Sequence, residues 1–257
     1  KRLELLDYAR FFAALWVMAF HYTFNGILNG KIQSISHIEP LIQITKYGYL
    51  GVELFFMISG YVIFFSAQNK SAAEFAMYRA IRLMPCYWLA VIFTSIVMLA
   101  WGSYIGDISY IQILVNLTML QSFLGFSHID GVYWTLVYEI TFYFAVFLIL
   151  FAGFGRYLTP LFIAWPFIML AGLLLGLGKY PYMGEYFAYF SAGTLFALYK
   201  STRNRFILIP ILVAAHLCIS FSLSQAEIMQ KTKQILFSSS IIIGVISSFF
   251  LFFLLLN

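Results

Sequence analysis

The 257-residue chain is 63% hydrophobic and 20% aromatic, only 10% charged, and carries a formal net charge of +5. This lies far beyond the roughly half-apolar norm of soluble domains, and the apolar residues come in long runs, so the chain reads as an all-α, polytopic transmembrane helical bundle. Its lysines and arginines sit in short loops between those runs, which makes the positive charge a matter of membrane topology and excludes a nucleic-acid surface. Cys86 and Cys218 lie within apolar spans without metal-ligand or CxxC spacing, so they read as packing residues, with no disulfide framework and no metal site.

The first span, residues 5–24, holds an arginine and a histidine in an otherwise apolar segment. Arg10 and His21 are eleven residues apart. At 100° per residue that is three turns plus about 20°, so they share a face, separated by a rise of roughly 16 Å. Asp7, Ala14 and Val17 complete that face. Ionisable groups are costly at membrane depth and point at a cavity or a partner, so the face is a candidate site; a purely structural polar knot between helices is the bland alternative. The basic start resembles a signal peptide, but Asp7 and Arg10 interrupt the apolar run and no A-x-A site follows, which reads as a retained anchor.

Further spans are expected at residues 47–67, 83–101, 132–151, 161–177, 186–199, 206–223 and 235–256, giving eight or nine membrane segments with the doubtful stretch at residues 110–125. That stretch contains Gln112, Asn116, Thr118, Gln121 and Ser122, which suits a buried short span or a re-entrant helix rather than a lipid-facing one. If it does not cross, nine lysines and arginines, Lys1, Arg2, Lys70, Arg79, Arg82, Arg156, Lys200, Arg203 and Arg205, collect inside against five outside, as the positive-inside rule favours. The chain starts at Lys1 without methionine and its last apolar segment stops abruptly, which suggests a fragment lacking one C-terminal helix. There is no internal repeat, soluble domain or low-complexity linker, so residues 1–257 read as a single membrane domain.

Four positions or groups beyond the first span draw attention. Glu53 sits among Val52, Leu54, Phe55 and Phe56 and must find a donor or a proton. Nearby Gly51, Ser59 and Gly60 allow close approach of another helix or of a ligand. Arg79 and Arg82, at i and i+3, share a helix face where they can bind phosphates in forked hydrogen bonds or act as an interfacial anchor. Glu139 lies about 8 Å inside the fourth full span, behind the interface aromatics Tyr133 and Trp134. With the first span running outward and this one inward, His21 and Glu139 reach similar depths, and a carboxylate beside an imidazole raises its basicity toward a hydroxyl substrate. The Asn116-Leu117-Thr118 sequon reads as chance, and His37, His128 and His216 stand apart without ligand spacing.

The ordered set LDYARFFAALWVMAFH, GVELFFMISGYVI, RAIR and YWTLVYEITFYF resembles the integral-membrane acyltransferases of the acyltransferase-3 type, which include bacterial polysaccharide O-acetyltransferases. The resemblance covers the chain to about residue 145. It implies an O-acyltransferase of the bacterial inner membrane, moving acetyl from acetyl-CoA to a hydroxyl of an envelope polysaccharide or lipid-linked glycan, with no metal. In that reading His21 is the catalytic histidine, as base or acyl relay, with Arg10 its partner. Arg79 and Arg82 contact the acyl-CoA donor, Glu139 supports the acceptor, and Glu53, Ser59 and Trp134 line the substrate. Glu53, Thr135 and Tyr61 stand where Asp, Ser and Phe are common in the family. The expected arrangement is one cavity holding Arg10, His21, Arg79, Arg82 and Glu139. The competing reading is a secondary transporter using the same charges as a relay, against which no paired broken helices or repeated halves occur.

Overall fold

The computed structural model describes residues 4–36, 38–105 and 108–256, with the backbone alone at 102–105. His37, Lys1 and Arg2, all named above, fall outside the described residues. Among those described, every regular element is helical: α1 (Glu4–Phe20), α2 (Glu39–Thr45), α3 (Leu50–Ala67), α4 (Ala72–Ile105), α5 (Tyr110–Leu117), α6 (Trp134–Phe151), α7 (Leu158–Leu174), α8 (Phe187–Thr202), α9 (Leu208–Lys233) and α10 (Ser239–Leu256), joined by short π, 3-10 and helical turns. Seven helical stretches are long and apolar enough to cross a bilayer. The chain is a multi-pass membrane protein. Its contacts divide it into two compact units, residues 1–65 with 157–257, and residues 66–156.

In the first unit α8 is the central element. Every residue from Phe187 to Leu198 is buried, which is why its 16 residues carry serine, threonine and glycine rather than an unbroken lipid-facing surface. Small residues decide how closely neighbours approach it. A Cβ at Gly60 would collide with the Phe190 carbonyl, and one at Gly193 with the Met57 carbonyl, so α3 and α8 touch backbone to backbone. Gly51 does the same for α1, since its Cβ would stand 2.8 Å from Val17 Cγ2 and 2.9 Å from the Ala13 carbonyl oxygen. The packing reading of Gly51 and Gly60 is therefore the one realised. Phe196 of α8 stacks on Phe253 of α10 with ring centroids 5.4 Å apart, and Phe253 also packs on Tyr61 of α3 at 5.5 Å.

The second unit is built on α4, which at 34 residues begins eleven residues before the expected start of its span at 83. The cause is a reciprocal cap: the Ser71 hydroxyl accepts from the Glu74 amide at 3.2 Å, while the Glu74 carboxylate accepts from the Ser71 amide at 2.9 Å. Pro85 is accommodated within the helix, and Trp101 breaks it with φ −124°. The polar stretch at 110–125 becomes the eight-residue α5 followed by turns, about 12 Å of helix and too short to cross a bilayer. Asn116 is fully buried and explains the polarity. Its amide donates to the Gln112 and Ser127 carbonyls, and its oxygen accepts from the Ile129 amide at 3.1 Å. It is unavailable as a glycosylation acceptor. Tyr133, expected at the interface, is instead buried against Tyr87, centroids 5.2 Å apart.

Other boundaries shift for local reasons. α9 runs ten residues past the expected end at 223, through a polar stretch supported by an i,i+4 pair in which Lys231 donates to Glu227 at 2.6 Å. The stretch 235–238, expected as the start of the last span, precedes α10 and is not helical. Cys218 is buried, whereas Cys86 is exposed on α4 and fills no packing role inside the fold.

Candidate functional site

Beyond Phe20 the first helix changes pitch. Residues His21–Asn25 form a π turn closed by the Gly26 amide on the His21 carbonyl, and a last turn, Gly26–Leu28, completes a 25-residue span. A π turn inserts one residue into a helix and is found disproportionately at functional positions. Here it opens at the one histidine the sequence places inside a membrane helix near the arginine. Several contacts hold it. The Thr23 hydroxyl is 2.7 Å from the Ala19 carbonyl and 2.8 Å from the Thr45 hydroxyl of α2. Lys233, the last residue of α9, donates to Asn25 Oδ1 at 2.8 Å and Asn29 Oδ1 at 3.0 Å. A Cβ at Gly26 would lie 2.6 Å from the His21 carbonyl oxygen.

His21 is half-buried, its ring edge-on to Phe20 with centroids 5.2 Å apart. Three turns earlier Arg10 donates to Asp7 Oδ1 at 3.1 Å, with side-chain exposures of 25% and 38%. These values mark a pair at the edge of the bundle rather than in its core. Of the expected face, Asp7, Arg10, Val17 and His21 are half-buried and Ala14 is exposed.

Glu53 is buried with 1% exposure. Its Oε1 accepts from the Ser222 hydroxyl at 2.9 Å. The Tyr189 hydroxyl makes a short hydrogen bond with Ser222 and lies 3.0 Å from the Cys218 carbonyl. Ser222 and Tyr189 are not legible as partners from sequence, because their helices follow Glu53 by more than a hundred residues. Among the described residues Glu53 Oε2 and the Tyr49 hydroxyl are both buried without a hydrogen-bond partner, an arrangement that costs free energy unless a ligand or a proton completes it. Tyr49 packs on Phe20 at 6.0 Å, next in sequence to His21. Ser59 is half-buried on the same helix.

In the second unit Arg79, Glu139 and Tyr143 come together. The Tyr143 hydroxyl donates to Glu139 Oε2 at 2.9 Å, and the Arg79 guanidinium carbon lies 6.0 Å from the centre of the Tyr143 ring. Arg79 also donates to Ser66 Oγ at 3.0 Å, while its Nε is buried without an acceptor among the described residues. This differs from the sequence expectation, which put Arg79 at the cytoplasmic mouth and Glu139 toward the opposite side. The early start of α4 places Arg79 seven residues inside its helix, about 10 Å. The antiparallel pairing of Tyr87 with Tyr133 then brings residue 143 opposite residue 79. Tyr143 stands at i+4 from Glu139, the one sequence signal that points to this pair. Arg82 is exposed on the same helix, and Trp134 is half-buried with its ring edge-on to Tyr138 at 5.9 Å.

Of the remaining histidines, His216 is exposed, and His128 is fixed in a loop, 2.9 Å from Gln121 Nε2 and 3.0 Å from Ser122 Oγ. Burial holds the His128 imidazole below its ordinary 6.5. Among the described residues no three His, Cys, Asp or Glu side chains are grouped to hold a metal ion.

The fold and these intramembrane charges define a polytopic membrane protein with polar groups organised inside its helices. A family model described as an acyltransferase domain matches residues 3–257, and the chain belongs to this acyltransferase-3 family. It is also similar to nodulation protein 10 of Rhizobium leguminosarum bv. viciae, 27% identical over 157 residues. That match covers 53% of this chain and 41% of the relative, so the chain spans about two fifths of the curated relative it matches. No solved structure matches it.

Proposed function

We propose that the protein is a membrane-bound O-acyltransferase that moves an acyl group, acetyl from acetyl-CoA, to a hydroxyl of an envelope polysaccharide or lipid-linked glycan at the bacterial inner membrane. The observation that carries this reading is the π turn opening at His21, in the same helix as the Arg10–Asp7 pair and in a chain that belongs to an acyltransferase family. A histidine held by a widened turn is set for proton abstraction from a hydroxyl nucleophile.

Arg79 and Arg82 hold the phosphates of the donor. The buried Arg79 Nε, without an acceptor among the described residues, supports that fit, because a phosphate oxygen would satisfy it by a charge-assisted bond. Tyr143 and Glu139 fix the guanidinium in place. His21 removes the proton as the acceptor hydroxyl attacks the thioester carbonyl, the C–S bond breaks, and the proton passes to the leaving CoA thiolate. Arg10 stabilises the charge that develops along the same helix face. Glu53 Oε2 and the Tyr49 hydroxyl supply polar atoms for substrate hydroxyls, with Ser59 of the same helix as Glu53 as a further substrate contact.

Detergent-purified protein incubated with radiolabelled acetyl-CoA tests this. Consumption of the thioester, with label passed to water or to added glycan, is the expected result. Solute movement in proteoliposomes without thioester turnover would refute the reading.

A further inference from the structure

A cavity of about 430 Å³ opens in the first unit between the end of α7, the loop that follows it, and α9. This lies within the ~300–1,000 Å³ range of small-molecule sites. Its wall carries Lys179, Glu185, Ser220, Ser224, Gln225 and the aromatic ring of Phe221; the rest is largely apolar. The reactive groups described above do not line it.

The loop is firmly built. Trp165 Nε1 donates to the Tyr182 carbonyl at 2.8 Å, and a Cβ at Gly184 would lie 2.6 Å from the Gly178 carbonyl oxygen, so the loop closes on itself. Tyr182 and Glu185 both adopt left-handed backbone, φ 66° and 53°. Residues other than glycine hold that conformation where the surroundings impose it, and such positions gather at binding sites. Phe221 is braced by Tyr186, ring centroids 4.8 Å apart.

The chemistry of the wall selects its occupant. One lysine and one glutamate cancel, which disfavours a polyanion such as the CoA phosphates. Two serines, a glutamine and the carboxylate offer donors and acceptors for several hydroxyls, and Phe221 offers a flat apolar face for the C–H side of a ring. A hydrocarbon tail would leave the polar groups unused. The cavity also lies toward the His21 end of the unit: Gln225 precedes Lys233 by eight residues, about 12 Å along α9, and Lys233 bonds Asn25 of the π turn.

We infer that this cavity is the subsite for a neutral, hydroxyl-rich sugar ring of the acyl acceptor. The inference rests on the acyltransferase reading for the word acceptor, but the binding of sugar is separable from it. Saturation-transfer NMR on the full detergent-purified chain, with cellobiose, maltose, N,N′-diacetylchitobiose and sodium decanoate as probes, measures binding directly. Ser224→Trp fills the cavity from an exposed position, and Gln225→Ala removes one amide with little risk to folding. The expected result is saturation transfer to at least one disaccharide, abolished by Ser224→Trp and reduced at least fivefold by Gln225→Ala, with the melting temperature of each variant matched to that of the unmodified protein. Transfer to none of the sugars, transfer to decanoate alone, or transfer insensitive to both substitutions overturns the inference. Sugar binding that is lost in Ser224→Trp, in a protein that never consumes acetyl-CoA, leaves the sugar site standing and removes the acyltransferase reading.

Discussion

The Gly26 amide donates to the His21 carbonyl five residues back, so the helix widens at the histidine and nowhere earlier in that span. The consequence is specific to this pair. In an α-helical turn the two would not be bonded, and a side chain at position 26 would not meet the His21 carbonyl. Gly26→Ala places a Cβ 2.6 Å from that oxygen and forces the turn to rearrange. Because a displacement of about 1 Å at a reacting group can cost ~100-fold, kcat is expected to fall ~10- to 100-fold. The clash is with backbone, so the melting temperature also falls by a few degrees, while the donor KM changes little, and steady-state kinetics on the purified folded variant check the split between kcat and KM.

The Tyr143–Glu139–Arg79 group predicts a donor-side effect. Tyr143→Phe keeps the ring beneath the guanidinium but removes the hydrogen bond to Glu139. A hydrogen bond to a charged group is worth about 1.5–3 kcal/mol, so acetyl-CoA affinity should drop ~10-fold or more, read as KM with kcat nearly kept. An unchanged KM would detach this group from donor binding.

Packing gives a stability prediction free of any functional assumption. Gly60→Ala drives a methyl into the Phe190 carbonyl, and overpacking of this kind costs ~1–3 kcal/mol. Thermal unfolding in detergent should therefore begin several degrees lower, whereas Gly131→Ala, where an added Cβ meets nothing within 4 Å, should leave it unmoved.

Helix identity was legible because hydropathy at membrane length is a strong signal, and the four motifs carrying His21, Glu53, Arg79 and Glu139 marked the polar positions. The Ser71–Glu74 cap, which starts α4 early, is also written in the sequence as S-x-x-E, and it sets where along α4 Arg79 meets Tyr143 and Glu139. The π turn was not legible, since α and π turns draw on the same residues and the choice depends on Gly26, Thr45 and Lys233 from three separate segments. The partners of Glu53 were hidden for the same reason: Ser222 and Tyr189 are brought to it by helix packing alone.

His128 supplies a pH dependence in the second unit. Its imidazole is held below the ordinary 6.5 by burial, and with Gln121 Nε2 donating to Nδ1, the neutral ring donates from Nε2 to Ser122. The folded state takes up the proton less readily than the unfolded state, so the stabilisation is complete above about 6.5 and lost as pH falls below it. The amide protection factors of the 118–130 loop, exchange rates corrected for the intrinsic pH dependence, should fall between neutral and mildly acidic pH. His128→Asn should remove that dependence, and a loop equally protected at both pH values would refute the assignment.

The central claim is that His21 carries the reaction, and acetyl-CoA consumption by purified wild-type protein and His21→Ala, with matched melting curves, tests it most directly. Loss of a general base costs ~100- to 10,000-fold, so the variant should fold normally and turn over thioester at least ~100 times more slowly. Equal turnover by the two proteins would contradict the account.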